Sequence, residues 1–234
     1  SGVYERAVES LKRDAPSHAF WLHEKDKHYQ LIRDFVKMEK AWREQFPRTR
    51  IVGTEVPFKG HIGVVGEDVV ISKEKTHPDQ VPLSGKIDRV DKDAHGYLSV
   101  TDYKTGGNNL SAIKSWVKNG KFQMPLYAMS LEAGLADGFE SPAVAAAYYL
   151  MLKNQERGKG FVLTDVEHEL GESSSKKDQN ISSQEREEIF AQMKQLMKTC
   201  LEKIQRGEFP PLPKDFDVCK TCNWSLVCRA PHLR

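Results

Sequence analysis

The sequence predicts an α/β fold, with a central mixed sheet of about five strands, helices on both faces and a functional site at one end of the sheet. Apolar residues recur at helical spacing over 17–46 and again over 182–206, which indicates two long amphipathic helices. Between them lie short runs rich in valine, isoleucine, tyrosine and threonine, separated by turns, as is typical of strands. Shorter helical segments are predicted at 110–119 and 121–133.

The first long helix is followed by strand-forming sequence. The apolar positions of the helix share one face and are Leu22, Leu31, Ile32, Phe35, Met38 and Trp42. Pro47 is expected to end this helix because proline cannot donate the next backbone hydrogen bond. A strand is predicted over 49–58, and 61–65 and 68–71 are candidate short strands.

A β-hairpin is the most informative part of the chain. Residues 83–91 and 97–104 are rich in strand-forming residues, and 92–96 is a turn that contains Gly96. Since side chains on a strand alternate between faces, Asp102 and Lys104 share a face and Tyr103 points the other way.

The register of this hairpin brings two aspartates together. With the hairpin centred on 92–96, Asp88 lies opposite about Val100, and Asp102 is its diagonal neighbour at roughly 7 to 8 Å. Two carboxylates at that separation can bind one shared cation.

The second half of the chain continues the pattern. Its predicted elements are a buried strand over 143–153, an edge strand over 161–168, a polar loop over 171–180 and a helix over 182–206 that begins at Ser182 or Ser183, with Glu185 in its first turn. Prolines at 210, 211 and 213 end regular structure. The expected organisation is an N-terminal helical segment (1–47), a core (48–208) and a cysteine-containing C-terminal tail (209–234).

Composition restricts the function classes only weakly. The chain has 234 residues, 39% hydrophobic and 29% charged, which argues against disorder and suits one large domain or one domain with a helical appendage. With 35 Lys+Arg against 33 Asp+Glu, the net charge of +2 does not by itself indicate nucleic-acid binding.

No apolar run is long enough to span a membrane and no secretory signal is visible, so a cytoplasmic protein is expected. The opening Ser1-Gly2 resembles a remnant of protease cleavage, and the natural chain is expected to continue upstream.

The grouping of Asp88, Asp102 and Lys104 is suited to phosphodiester hydrolysis. Two carboxylates on one face repel each other unless a cation compensates them. A hard cation such as Mg²⁺ binds few protein carboxylates and keeps water and phosphate as its other ligands, and it lowers the pKa of a bound water. A nearby lysine orients that water and offsets transition-state charge. The alternative is a surface hairpin with ordinary charges, since Asp-x-Lys alone is a common sequence.

The longer pattern around these residues is specific. Gly-x-Ile-Asp-Arg-Val-Asp over 85–91 precedes Thr-Asp-Tyr-Lys-Thr-Gly over 101–106. This combination resembles the PD-(D/E)xK nuclease superfamily in its RecB-like exonuclease branch, which includes AddB-like nuclease domains. The resemblance implies a restriction-endonuclease-like core and an Mg²⁺- or Mn²⁺-dependent deoxyribonuclease, with Asp88, Asp102 and the Tyr103 carbonyl binding metal. It also implies exonuclease action on single-stranded DNA ends in recombinational repair, with a helicase or other repair subunit as partner.

Two further motifs agree with that branch. Gln123 and Tyr127 form its Gln-x-x-x-Tyr motif, and positions i and i+4 share a helix face, so both are expected at the site along the substrate path.

Glu55 precedes the hairpin, where the branch carries an acidic residue; it is either an auxiliary metal or water ligand or an ordinary polar strand residue. The Gly-x-x-x-His element of the branch is not visible, and the early histidines are expected to be solvated: His18, His23 and His28.

The four cysteines lie close together near the end of the chain, which favours a metal site in a reducing compartment over disulfides. Cys219-x₂-Cys222-x₅-Cys228 resembles the tail of RecB-like nucleases that bind a [4Fe-4S] cluster, for which thiolates are the usual ligands. A fourth ligand is not evident. Either it is missing from this chain, or the motif is a relic, or Cys200 completes a cluster or zinc site.

Two other function classes are consistent with the sequence. One is a nuclease-like DNA-binding or scaffold module without activity, as part of a helicase–nuclease or CRISPR-related complex. The other is a metal-binding interaction module built on the cysteine tail. Retention of both aspartates and the lysine favours the nuclease over the first of these.

Overall fold

The computed structural model describes residue 6, residues 18–105, 110–140, 142–171 and 179–209, and positions 219, 220, 222–224 and 228. The predicted 171–180 loop, the Gly106 end of the hairpin motif and the three tail prolines fall wholly or mostly outside the described residues. No helix within the described ranges is both long and apolar enough to cross a membrane.

The described elements follow one another as a helix, four strands, three helical segments, three strands and a final helix. The helices are α1 (His18–Gln45), α2 (Trp116–Asn119), α3 (Gln123–Glu132) and α4 (Ser183–Gln205), and a short 3₁₀ helix (Ile113–Ser115) precedes α2. The strands are β1 (Arg50–Val65), β2 (Asp68–Ser72), β3 (Val81–Lys92), β4 (Leu98–Lys104), β5 (Val144–Met151), β6 (Glu156–Leu163) and β7 (Asn180–Ile181).

The strands form one mixed sheet in the order β2-β1-β3-β4-β5-β6-β7. Adjacent strands are antiparallel except for the parallel pairs β4–β5 and β6–β7. Over the described residues the sheet thus has seven strands, where about five were expected. The additional strands are β2, which was a candidate short strand at 68–71 and pairs with the second half of β1, and β7, whose first residue was predicted to end a loop.

The prediction of an edge strand at 161–168 was wrong both in the bounds of the strand and in its location at the sheet edge. The strand begins at Glu156, because polar residues that resemble a loop pair their backbone with β5 from Met151 onward. It ends at Leu163, and β7 pairs with it on the outer side, so it is not the edge of the sheet.

Helices cover both faces of the sheet, as the sequence predicted. On one face, Trp42 of α1 packs edge-on against Tyr148 of β5, with ring centroids 6.4 Å apart. On the other, Phe161 of β6 makes edge contacts with Trp116 of α2 at 6.1 Å and with Phe190 of α4 at 6.1 Å. The buried apolar side chains of the sheet and helices form one core.

The register of the β3–β4 hairpin differs from the predicted one. Val90, not Asp88, lies opposite Val100. The loop closes at Asp93, whose backbone N–H bonds the Tyr97 carbonyl at 3.1 Å and whose carboxylate accepts the Tyr97 N–H at 2.9 Å. This tighter closure moves the turn toward the C-terminus and changes the partner of Asp88.

Helix starts follow from local chemistry. Ser182 caps α4 in a reciprocal capping box with Glu185, which selects Ser182 over Ser183 as the N-cap. Pro125 is the third residue of α3, where a backbone N–H would have no partner within the helix, so it costs no helical hydrogen bond. This start places Gln123 at the first position of α3, pointing its side chain toward β4.

Candidate active site

Asp88 and Asp102 are neighbours across the hairpin. The last paired residues are Arg89 and Thr101, and continuing the register by one step sets the two aspartates opposite each other. Directly opposite residues have Cβ atoms about 4.5–5.5 Å apart, closer than the predicted diagonal. The Tyr103 N–H donates to Asp88 Oδ2 at 2.8 Å, which fixes one oxygen of that carboxylate. Asp102 is 2% exposed, whereas Asp88 is half-buried.

Gln123 joins the remaining site residues into one network. Its Nε2 donates to Asp102 Oδ1 at 2.8 Å and to Tyr127 Oη at 3.0 Å. Its Oε1 accepts from Lys104 Nζ at 3.2 Å. Lys104 Nζ also lies 2.5 Å from Asp102 Oδ2. Both amide hydrogens and the carbonyl of Gln123 are therefore engaged, so the amide has a defined orientation. The structure brings Asp102, Lys104, Gln123 and Tyr127 together as the sequence indicated.

Burial governs the electrostatics of this network. It raises the pKa of the Asp102 carboxyl; the Lys104 ammonium opposes this effect, and the negative charge of Asp88 adds to it. Burial likewise raises the pKa of the Tyr127 phenol. The pKa of Tyr149, a β5 residue beside Asp102, is raised by burial and then by the Asp102 charge. Both phenols are therefore neutral at physiological pH and can serve as hydrogen-bond donors or as aromatic surface.

The donor set at Asp88 and Asp102 fits a hard divalent cation. It consists of two carboxylates on opposite strands at the end of the hairpin, with Lys104 beside Asp102. A cation such as Mg²⁺ is bound through one or two carboxylates and keeps several waters. No cluster of three or more His, Cys, Asp or Glu side chains capable of holding a metal occurs in the described part of the chain. A cation bound by these two aspartates would complete its coordination with water and phosphate oxygens.

Glu55 is placed near this pair without joining it. It precedes Val56, which pairs with Ile87, so Glu55 lies beside Asp88 on the neighbouring strand. Its backbone has φ +51°, an uncommon conformation for a residue with a side chain. Its carboxylate pairs with Lys86 Nζ at 2.9 Å, and both side chains are more than half exposed. Its role as a metal ligand stays a prediction.

Tyr103 and Arg89 lie on the opposite face of the sheet, under α1. The Tyr103 ring meets the Phe35 ring edge-on at 5.8 Å. Arg89 donates to both oxygens of Asp91 and to Glu39 Oε2 at 2.7 Å. Burial alone lowers the pKa of Arg89, but hydrogen bonds to Asp91, Tyr103 and Glu39 and the Asp91 charge outweigh it and leave that pKa raised. The metal role of the Tyr103 carbonyl stays a prediction.

Sequence reasoning missed three residues around the site. Glu39 and Arg157 form a buried ion pair behind β3, and the Arg157 guanidinium stacks over Trp42 at 4.1 Å. Tyr149 lies on the site face itself. Strand alternation places Arg89 on the face opposite Asp88, but no local signal in the sequence indicates which helix residue contacts it.

The cysteines do not meet in a metal site within the described residues. Cys200 is exposed on α4, and Cys219, Cys222 and Cys228 are half-buried. Their role as cluster or zinc ligands stays a prediction. Of the early histidines, His28 is exposed, as expected; the side chains of His18 and His23 lie outside the described residues.

The fold and the site together define a class of protein. A mixed sheet between helices, with two aspartates and a lysine at the end of a hairpin, is the arrangement of nucleases with a restriction-endonuclease-like core. The model of the PD-(D/E)XK nuclease superfamily matches residues 3–229. The chain belongs to this superfamily.

Individual relatives are more distant. The chain is similar to one of the subunits of the ATP-dependent helicase/deoxyribonuclease of Carboxydothermus hydrogenoformans, with 24% identity over 81% of this chain. The matched region is 21% of that protein, so the chain spans about one fifth of the length of this relative. Among solved structures, the crystal structure of SSO0001 aligns with 96% of this chain and 80% of its own, at 14% identity and a TM-score of 0.32.

Proposed function

We propose that this protein is a metal-dependent DNA nuclease that hydrolyses phosphodiester bonds. The observation that carries the proposal is the contact of Lys104 with Asp102 beside Asp88, at the end of the central hairpin. Membership of the nuclease superfamily supports the same chemistry.

The aspartates are proposed to bind Mg²⁺ or Mn²⁺, with the Tyr103 carbonyl and, less directly, Glu55 as further ligands. When bound, the metal supplies an activated water and charge stabilisation on the phosphate. Asp102 holds its position through Gln123, and Asp88 through the Tyr103 N–H. These fixed carboxylates would hold the metal ion in a defined place, and the ion would attract the scissile phosphate that the carboxylates alone would repel.

Lys104 is proposed to orient the attacking water and to offset negative charge in the transition state. Its ammonium lies at the site, 2.5 Å from Asp102 Oδ2, and its side chain is 29% exposed, so one side of the cation can meet substrate. Tyr127 contributes a phenol that accepts a bond from Gln123 and keeps its own proton. That proton is available to donate to a phosphate oxygen on the substrate path.

The preferred substrate is proposed to be the end of a single DNA strand in recombinational repair. This rests on likeness to a helicase/deoxyribonuclease subunit, of which the chain matches about one fifth. A helicase or another repair subunit is the proposed partner. The protein is proposed to act in the cytoplasm, with a nuclease core over 48–208 between an N-terminal helical segment and a cysteine-containing tail.

The decisive experiment is cleavage of end-labelled single- and double-stranded DNA with Mg²⁺, Mn²⁺ or EDTA. We expect cleavage with either metal, none with EDTA, and a loss of at least about 100-fold in Lys104→Ala. Lys92→Ala, an exposed lysine on the same hairpin, is the matched control. Equal cleavage by wild type and Lys104→Ala would refute the proposal and leave a DNA-binding scaffold as the better interpretation.

The cysteine tail is proposed to bind a [4Fe-4S] cluster or zinc through Cys219, Cys222 and Cys228, with Cys200 as a candidate fourth ligand. Its role would be to stabilise the fold, since metal bound by thiolates contributes folding free energy. Anaerobic purification followed by iron, sulfide and zinc analysis tests this. Loss of metal in Cys222→Ser but not in Cys200→Ser would assign the three tail cysteines and exclude Cys200.

A further inference from the structure

A buried tyrosine lies on the site face beside Lys104. Tyr149 of β5 is paired with Asp102 in the parallel β4–β5 register and is 4% exposed. Alternation along β5 directs its ring to the same face as Asp102 and Lys104. The Lys104 Nζ lies over this ring, 5.7 Å from its centroid.

The Lys104 ammonium contacts three different neighbours. Asp102 Oδ2 lies at 2.5 Å and Gln123 Oε1 at 3.2 Å. Asp102 attracts the ammonium by charge and Gln123 accepts one of its hydrogens, but the lysine side chain is intrinsically flexible, so a third contact would restrict its position further. The third neighbour is the aromatic face of Tyr149, which attracts a cation electrostatically within about 6 Å.

We propose that Tyr149 is a positioning residue, whose aromatic face holds the Lys104 ammonium beside Asp102. This inference rests on the proposed nuclease function, in which Lys104 acts on the water and phosphate. Tyr149 does not touch the reacting atoms in this role. It narrows the range of positions that the lysine occupies, so the lysine spends more time in the productive geometry.

The property that matters is the face of the ring and not the hydroxyl. Phenylalanine keeps the negative face of the ring, whereas leucine fills much of the volume without it. Tyr149→Phe is therefore expected to retain the effect and Tyr149→Leu to lose it. If Tyr149 only filled space in the core, Tyr149→Phe and Tyr149→Leu would not differ in their effect on the position of Lys104.

The preceding residue offers a matched control. Tyr148 is equally buried, at 5%, but points to the opposite face, where its hydroxyl donates to the Leu170 carbonyl at 3.0 Å. Tyr148→Leu removes the same aromatic volume from the same strand without touching Lys104. Because Tyr148→Leu also removes the bond to Leu170, any general loss of packing in β5 is at least matched by this variant.

Kinetics with end-labelled DNA form the first arm of the test. Tyr149→Leu is expected to lower kcat by about threefold to thirtyfold with KM for DNA unchanged. Tyr149→Phe and Tyr148→Leu are expected within about twofold of wild type, measured well below the unfolding temperature of each variant. Equal loss of kcat in Tyr149→Leu and Tyr148→Leu would overturn the proposal.

The second arm does not depend on activity. In metal-free protein labelled with [6-¹³C]lysine, the Lys104 CεH₂ signal is identified by its loss in Lys104→Arg. An aromatic ring shifts the signals of protons above its face upfield, and Lys104 Nζ lies over the Tyr149 ring. We expect the shift in wild type and Tyr149→Phe and its loss in Tyr149→Leu.

The kinetic and the spectroscopic measurements test the nuclease function and the role of Tyr149 separately. A wild-type protein that cleaves no DNA with Mg²⁺ or Mn²⁺ would refute the proposed function, while the lysine signal would still decide the position of Lys104. An identical lysine signal in wild type, Tyr149→Phe and Tyr149→Leu would overturn the role of Tyr149, whatever the activity.

Discussion

Arg89 of β3 donates a hydrogen bond to Glu39 of α1 at 2.7 Å, directly behind the strand position that carries Asp88. The side chain of Arg89 is 3% exposed and that of Glu39 is 11% exposed. Glu39 also pairs with Arg157, so one helix carboxylate contacts two buried guanidinium groups. The first helix is thus attached to the sheet by charge as well as by the Phe35 and Trp42 rings.

Removal of Glu39 is expected to destabilise the fold strongly. Glu39→Ala leaves two buried cations to share Asp91, and breaking a buried pair in this way costs about 3–5 kcal/mol of unfolding free energy. Urea denaturation followed by circular dichroism measures this free energy. Glu44→Ala is the control, because Glu44 is 68% exposed and its pair with Lys40 is long, at 3.9 Å. A Glu39→Ala loss no larger than that of Glu44→Ala would show that the network adds nothing to stability.

The start of α4 is expected to weaken in acid. The Ser183 backbone N–H donates to both oxygens of Asp165 at 2.9 Å, and this bond lowers the pKa of the Asp165 carboxyl. Because the pKa is lower in the folded state, the unfolded state binds the proton first as pH falls. The stabilising contribution is therefore present above the unfolded pKa, near 3.8, and is lost as pH falls through the folded value.

Urea denaturation of wild type and Asp165→Asn over a pH series checks this prediction. The difference in unfolding free energy between the two proteins is expected to shrink as pH falls below about 4. A difference that stays constant over the acidic range would contradict a role for the Asp165 charge.

The site was more predictable than its surroundings, for a physical reason. Asp88, Asp102 and Lys104 belong to two strands joined by a short turn, and Gln123 and Tyr127 share one helix face. Their grouping therefore follows from strand alternation and helical spacing alone. The register was misjudged because it depends on how the Asp93 carboxylate closes the turn. That bond is a detail of side-chain geometry rather than of pattern.

The contacts behind and beside the site could not be predicted in the same way. Glu39 and Arg89 are 50 positions apart, and Glu39 and Arg157 are 118 apart. Such pairs are set by how α1 crosses the sheet, which no local pattern encodes. Tyr149 meets Lys104 only because β4 and β5 are parallel neighbours. The polar start of β6 was likewise hidden, because its strand character comes from pairing and not from its own side chains.

Gln123 is expected to matter through the residues that it orients. Gln123→Ala removes bonds to Asp102, Lys104 and Tyr127 at once. Groups that orient metal ligands typically contribute about 10- to 100-fold in affinity or activity, and we expect a loss of cleavage in that range. Gln195→Ala, on the exposed side of α4, is the control and is expected to cleave like wild type. Unchanged cleavage in Gln123→Ala would mean that the network is incidental to the chemistry.

Metal binding and catalysis are expected to separate at Lys104. Asp88→Ala and Asp102→Ala each remove a proposed carboxylate ligand, so both are expected to weaken Mn²⁺ binding by at least about tenfold, measured from the free-ion signal in electron paramagnetic resonance. Lys104→Ala removes a cation from the same site, so it is expected to bind Mn²⁺ at least as well as wild type while cleavage is lost. This pattern distinguishes ligands from the residue that acts on the water. Weakened Mn²⁺ binding in Lys104→Ala, or unchanged binding in both aspartate variants, would contradict the assigned roles.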